Sequence, residues 1–200
     1  MTRQKSKGLS AIHVLGILVF GGIAALLIFG ETDSQKRAKQ AQDTAKHPTD
    51  ISGLSNKIIG IAQDEKHDAT EIILRQSSVW NEESVVFVLA SEANDISKGI
   101  QQNFKSIKTP TIRFTIEIPL VDKFGNSSST RVMSINYKTS DIYTINYTQG
   151  FEPQQFLDLY ESAWYVDQIA HKLVNSFCIS EVGKSAMEFC RRERLGRGEK

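Results

Sequence analysis

The sequence predicts an α+β fold for the C-terminal three quarters of the chain, preceded by one transmembrane helix and a polar stalk. Three observations predict it: an uncharged apolar run near the N-terminus, alternating apolar and polar residues in the middle, and an apolar stripe with helical spacing near the end. The 200 residues accordingly divide into five parts. These are a cytoplasmic tail (1–8), a transmembrane helix (9–30), a stalk (31–50), an α+β domain (51–194) and a disordered basic tail (195–200).

The membrane segment is predicted from residues 9–29, which include no Asp, Glu, Lys or Arg. About 20 helical residues cross a hydrocarbon core of about 30 Å. A buried core helix normally carries a polar stripe, which this run lacks. A cleaved signal peptide has a shorter apolar stretch and small residues at positions −3 and −1 before its cleavage site. Cleavage after Gly30 would instead place the bulky Ile28 at position −3. We therefore predict an uncleaved anchor, in which Gly21 and Ala25 form a small-xxx-small pair for close helix packing.

The orientation of this anchor follows from the charges on its two sides. Basic residues lie close to the segment on both sides: Arg3, Lys5, Lys7, Lys36, Arg37, Lys39 and Lys46. Their numbers are nearly balanced, but the short basic tail is typical of a signal-anchor, and the first base after the segment is displaced by several residues. We expect the N-terminus in the cytoplasm and the domain on the periplasmic side of the inner membrane. The stalk, rich in Ala, Lys and Gln, is interpreted as a helical spacer or, alternatively, a disordered tether.

The first part of the domain allows two interpretations. Residues 51–61 indicate a short amphipathic helix or an entry into a strand. The β-branched and aromatic run Val85–Leu89 favours a strand that pairs with residues 69–80 as a hairpin. A helix that begins at Asn81 is the competing interpretation, because apolar residues recur every three or four positions from there to Ile107. We adopt a strand to about Ala90 and a helix from about Asn94 to Ile107.

The middle of the domain predicts antiparallel strands. Residues 111–119 alternate between apolar and polar side chains, as does the segment Arg131–Tyr137. Between them, Gly125 and Asn126 suit a turn. A third strand is predicted at Ile142–Tyr147. Together with the hairpin predicted in the first part of the domain, the expected sheet has three to five strands.

The C-terminal part predicts helices. Phe151–Cys178 carries one broad apolar stripe and is interpreted as a long amphipathic helix that covers the sheet. A short helix over about Ser180–Arg194 follows. The predicted architecture is therefore an antiparallel sheet with helices on one face.

The two cysteines, Cys178 and Cys190, lack the spacing of a zinc site. In an exported domain they predict a disulfide that holds the last helix, and in a cytosolic domain they would be buried thiols.

No catalytic motif is recognised in the sequence. The sequence Gly183-Lys184-Ser185 resembles the end of a phosphate-binding loop, but Cys178 stands where that motif needs its first glycine. His67, with Glu65, Asp68 and Glu71 nearby, is interpreted as a solvated charged patch. We therefore expect no catalytic residue, no cofactor and no metal site.

The function expected from these features is structural. The formal net charge of +1 argues against nucleic-acid binding, which needs a basic face. We expect a non-catalytic envelope protein with the membrane and other proteins, or further copies of itself, as partners. It would be an accessory or structural subunit of a secretion, conjugation or division assembly. The alternative is an extracytoplasmic sensor of a ligand or peptide, and an enzyme with an unobvious site is a third hypothesis. An exposed apolar patch or open sheet edge would favour the first hypothesis, and a concave apolar pocket the second.

Overall fold

The fold is organised around a five-stranded mixed sheet. The computed structural model describes residues 50–79, 81–104, 107–121, 124–166 and 168–196. The strands follow one another across the sheet in chain order, and only β2 and β3 run parallel. They are β1 (Ile58–Asp64), β2 (Ala69–Arg75), β3 (Thr111–Val121), β4 (Ser127–Lys138) and β5 (Ser162–Tyr165). The α+β class is confirmed, but the sheet is mixed where the sequence predicted an antiparallel one.

Five α-helices accompany the sheet in the described ranges. They are α1 (Glu82–Asn103), α2 (Thr139–Thr144), α3 (Pro153–Asp158), α4 (Gln168–Ile179) and α5 (Met187–Gly196). Within these ranges, none of the helices is both long enough and apolar enough to cross a membrane. The predicted tail (1–8), the membrane segment (9–30) with Gly21 and Ala25, and the stalk up to residue 49 lie outside the described residues. Of the predicted basic tail (195–200), residues 197–200 also lie outside them, and the first two belong to α5.

The hydrophobic core lies between one face of the sheet and the helices. Alternate residues of β2, β3 and β4 point into it, among them Phe114 and Tyr137. Helix α1 supplies Leu89, Ile96 and other buried residues, and α3 adds Phe156, whose ring stacks on Tyr137 at a centroid distance of 4.3 Å. Helix α1 also provides the crossover that a parallel pair of strands requires, because it joins β2 to β3.

The predicted strand to Ala90 is wrong, and the competing helix is the correct interpretation. The side chain of Asn81 caps α1 by accepting a hydrogen bond from the Ser84 amide at 2.9 Å. The residues at 85, 89, 93, 96 and 100 are all buried, so the helical spacing outweighs the strand preference of Val85–Leu89. The hairpin partner of β2 is instead β1, reached through a turn in which Asp68 has a φ of 47°.

Two predictions for the C-terminal half are also wrong. Ile142–Tyr147 is not a strand, because residues 139–144 form α2. Phe151–Cys178 is not one helix but α3, β5 and α4 in succession. Glu152 and Gln155 form a capping box that starts α3. The segment after it pairs with β4, so that hydrogen bonding to a sheet edge replaces the predicted helical continuation. The short final helix is confirmed in its general position as α5.

Candidate functional site

A group of polar side chains lies on the face of the sheet opposite the core residues, which also carries the buried, apolar Ile73. We call it the polar face, and it comprises Asp64, Glu71, Arg113, Thr115, Ser134, Asn136, Ser162 and Trp164. Strand alternation places these residues there, since in β3 and β4 their neighbours along the strand point into the core. The pairing register sets them in rows: Arg113 is opposite Asn136, which is opposite Ser162, and Thr115 is opposite Ser134, which is opposite Trp164.

The centre of the polar face is an ion pair shared by three strands and a turn. The Arg113 guanidinium donates to Asp64 Oδ2 at 2.6 Å and to Asn136 Oδ1 at 2.9 Å. The ring of His67, in the β1–β2 turn, lies 2.7 Å from the same Asp64 oxygen through Nδ1. These bonds, first that from His67 and then that from Arg113, lower the pKa of Asp64 to about 2. Asp64 is therefore a carboxylate at neutral pH, and it fixes the positions of both partners.

Further hydrogen bonds extend this network along the sheet. Thr115 Oγ1 contacts Glu71 Oε1 at 2.6 Å and Ser134 Oγ at 2.8 Å. Asn136 Nδ2 donates to Ser162 Oγ at 2.9 Å, which ties β5 to β4 through side chains as well as backbone. The polar face is therefore an ordered surface with mixed donors and acceptors.

Three arginines on and beside the polar face are each accompanied by a carboxylate. Arg75 donates to Glu117 Oε1 at 2.8 Å, and the Arg131 guanidinium lies 3.8 Å from Glu71. A hydrogen bond from Ser129, followed by that from Arg75, lowers the pKa of Glu117. With the Asp64–Arg113 pair, each of these three arginines is matched by a carboxylate.

Trp164 is the aromatic residue of the polar face. Its side chain is 66% exposed although it belongs to a strand of the sheet. The His67 ring meets it edge-on at a centroid distance of 6.0 Å, and the Arg113 guanidinium carbon lies 6.0 Å from the centre of the indole ring. Both neighbours are held by Asp64, so the surroundings of the indole are fixed on one side while much of the ring is open to solvent.

A second surface feature is the outer side of β1, which we call the β1 edge. Strand β1 pairs with β2 on one side, and no other described strand pairs with it. Ile59 and Ile61 are each 41% exposed on it. An irregularity in the pairing between Ile58 and Gly60 leaves Ile59 without a partner in β2. The β1 edge therefore presents two isoleucines beside backbone groups that are not paired within the described sheet.

The predicted disulfide is confirmed. Cys178 at the end of α4 and Cys190 in α5 are bonded, with their Cα atoms 5.4 Å apart.

An open cavity of about 430 Å³ adjoins the bond and is lined by Lys184, Met187 and Arg191, among others. A second open cavity, of about 470 Å³, has Asn146, Gln149 and Phe151 in its wall, together with Gln155 of α3.

The charged patch predicted around His67 is only partly assembled. His67 pairs with Asp64, while Glu71 contacts Thr115 and lies near Arg131. No group of three or more potential metal-binding side chains occurs among the described residues.

Sequence reasoning missed the polar face as a unit. The signal that could have revealed it was the polar side of β3, on which Arg113, Thr115 and Glu117 alternate with apolar residues. Trp164 could not be recognised as part of this face because the sequence pattern of its segment predicts a helix.

Comparison of the chain with protein-family models, with curated proteins and with solved structures finds no match.

Proposed function

We propose that this chain is a non-catalytic, single-pass membrane-anchored envelope protein that acts as an accessory or structural subunit of a larger assembly. Its domain would bind a partner protein through the β1 edge. The observation that carries this proposal is the exposure of Ile59 and Ile61 on a terminal strand of the sheet. An apolar terminal strand offers a template for another strand, because its unpaired N–H and C=O groups can continue the ladder.

The composition of the β1 edge supports this proposal. Natural proteins often protect terminal strands with lysine, proline or inward-pointing charges. Residues 58–63 contain none of these, and the first charged residue, Asp64, is engaged with Arg113 and His67. The irregularity at Ile59 shortens the regular part of β1, so Gly60–Asp64 is the segment best suited to pairing with a partner strand.

Two further features support the anchored, exported topology. The apolar run of residues 9–29 has the length of a membrane span. The Cys178–Cys190 disulfide suits an oxidising compartment, in which such bonds persist. A reporter fused after residue 200 tests this topology. Alkaline phosphatase activity would support export, whereas activity of a reporter that functions only in the cytosol would contradict it.

Partner binding is tested by extracting the full chain in a mild detergent and measuring co-purification. We expect Ile61→Lys to abolish recovery of the partner, because a lysine at the edge disfavours strand addition. Ile179→Lys is the matched control, since Ile179 is 66% exposed on α4 and is not part of β1. Equal partner recovery with both variants would contradict a role for the β1 edge.

A sensor of a small ligand or peptide is the second candidate function. The observation that favours it is the open cavity of about 470 Å³, in which the apolar side chains of Ile145, Phe151 and Leu159 lie among polar ones. A chain that purifies without any partner, together with a ligand-induced rise in its melting temperature, would favour this function over the first.

A further inference from the structure

We propose that the polar face around Trp164 binds a neutral oligosaccharide through stacking on the indole and hydrogen bonds to the side chains beside it. This proposal concerns a surface other than the β1 edge and does not depend on the protein-binding function. It rests on three observations: an exposed and positioned indole, a fixed set of polar planar side chains, and the balance of charge.

The indole of Trp164 provides the stacking surface. Leaving a tryptophan 66% exposed forgoes much of the free energy that burial of its large apolar surface would give. Its position in β5 and its contacts with His67 and Arg113 define the surroundings of the ring before any ligand arrives. A pyranose ring whose hydroxyl groups are equatorial presents a flat patch of axial C–H groups, which is complementary in shape and polarity to an open aromatic face.

The side chains next to the indole can serve the hydroxyl groups of such a sugar. A hydroxyl group both donates and accepts, so it needs donors and acceptors close together. Arg113 donates from Nε and from one terminal nitrogen within the network, and a guanidinium has five N–H groups in all. The Asn136 amide donates one of its two N–H groups to Ser162. Since these groups are already held by one another, a ligand would meet them with little loss of side-chain entropy.

The charge balance selects a neutral ligand. A nucleic acid or another polyanion is held by lysine and arginine side chains that neutralise its charges. Here Arg75, Arg113 and Arg131 lie within 4 Å of Glu117, Asp64 and Glu71, respectively. A polyanion would have to compete with these carboxylates for each arginine. A neutral saccharide leaves all three pairs in place and uses only their remaining hydrogen-bonding capacity.

A protein partner is the competing occupant, because tryptophan and arginine are common at the centres of protein interfaces. Such centres are packed into desolvated, largely apolar pockets. The immediate neighbours of Trp164 across the sheet and in the turn are Ser134, His67 and Arg113, which are all polar. The surroundings therefore favour a hydroxyl-rich ligand over an apolar protein side chain.

The test is calorimetric titration of the full chain with cellohexaose and with chitohexaose, in a detergent whose headgroup is not a sugar. We expect saturable binding of at least one hexasaccharide. Trp164→Ala should weaken it about tenfold, as the upper range of aromatic pair energies implies. Trp164→Tyr should retain part of the affinity. The matched control is Phe124→Ala, which removes another exposed aromatic side chain, at the β3–β4 turn, and should bind like the wild type.

Three results would overturn the proposal. The first is the absence of saturable binding of both hexasaccharides to the folded wild-type chain. The second is an unchanged affinity in Trp164→Ala. The third is loss of a co-purifying protein in Trp164→Ala without any saccharide binding, which would assign the polar face to a protein contact. The β1-edge experiment with Ile61→Lys reads out a different surface, so either proposal can fail while the other stands.

Discussion

Removal of the Cys178–Cys190 disulfide gives a quantitative test of the C-terminal packing. The two cysteines are 12 residues apart, and the entropy of closing a loop of that length corresponds to about 3 kcal/mol of stability at 25 °C. For a domain of this size, that loss lowers the melting temperature by about 6–12 °C. The variant should still fold, because α5 keeps the buried Phe189 and a hydrogen bond from Arg194 to the Cys178 carbonyl at 3.0 Å.

The assay is urea unfolding of the wild type and of the double variant Cys178→Ala, Cys190→Ala, each with and without a thiol reductant. The wild type should lose about 3 kcal/mol in reductant. The double variant should be about as stable as the reduced wild type, and reductant should not change it. A loss of less than about 0.5 kcal/mol in the unfolding free energy of the completely reduced wild type would contradict this prediction. The disulfide would then not stabilise the fold by restricting the unfolded chain.

Three further predictions address other parts of the fold. Asn81→Ala removes the N-cap of α1 and should cost about 1 kcal/mol in urea unfolding; no loss would contradict the position of the helix start. Gly183→Ala would place a Cβ 1.9 Å from the Phe177 carbonyl oxygen, and we expect a loss of about 3 kcal/mol or more in the same assay. Asp64→Asn should reduce the loss of stability in acid. The pKa of Asp64 is about 2 in the folded chain, below its ordinary value of 3.8. The carboxylate therefore stabilises the fold fully at pH values above 3.8, and this stabilisation is lost as the pH falls towards 2. Unfolding curves at several pH values check this, and an identical acid profile in the variant would contradict it.

The sequence predicted correctly those segments in which apolar and polar residues alternate with a single clear period. The strand at 111–119 and its return at 131–137 were correctly placed, because each has one face in the core and one face in a polar environment. The turn between them contains Gly125 at a φ of 83°, a conformation that glycine adopts without strain. In these segments local pattern and tertiary burial agree.

The sequence predicted the wrong secondary structure in two kinds of segment. In one kind, the residue pattern fits both a strand and a helix, and in the other, pairing with a strand distant in sequence determines the structure. Val85–Leu89 satisfies both a strand propensity and a helical spacing, and the cap at Asn81 with the buried face of α1 favours the helix. Strand β1 shows no clean alternation because Ile59 falls at an irregularity in the pairing. Trp164 belongs to a strand only because the exposed edge of β4 is available to it, which no local pattern reveals.

The polar face could not be assembled from sequence for a related reason. Asp64, Arg113 and Asn136 come from three different strands and are brought together by the register of the sheet. The parallel pairing of β2 with β3 sets Glu71 beside Arg113, and that pairing depends on the crossover through α1. The disulfide, in contrast, could be predicted for an exported domain, because the chain has two cysteines and one way to pair them.

The proposed function requires the domain to bind a partner protein through the β1 edge. The most direct measurement is photo-crosslinking in living cells from a benzoylphenylalanine placed at Ile61, with the same residue at Ile179 as the control. We predict a protein adduct of defined mass from position 61 in the membrane fraction and none from position 179. Crosslinks absent from position 61, or identical from both positions, would contradict the claim.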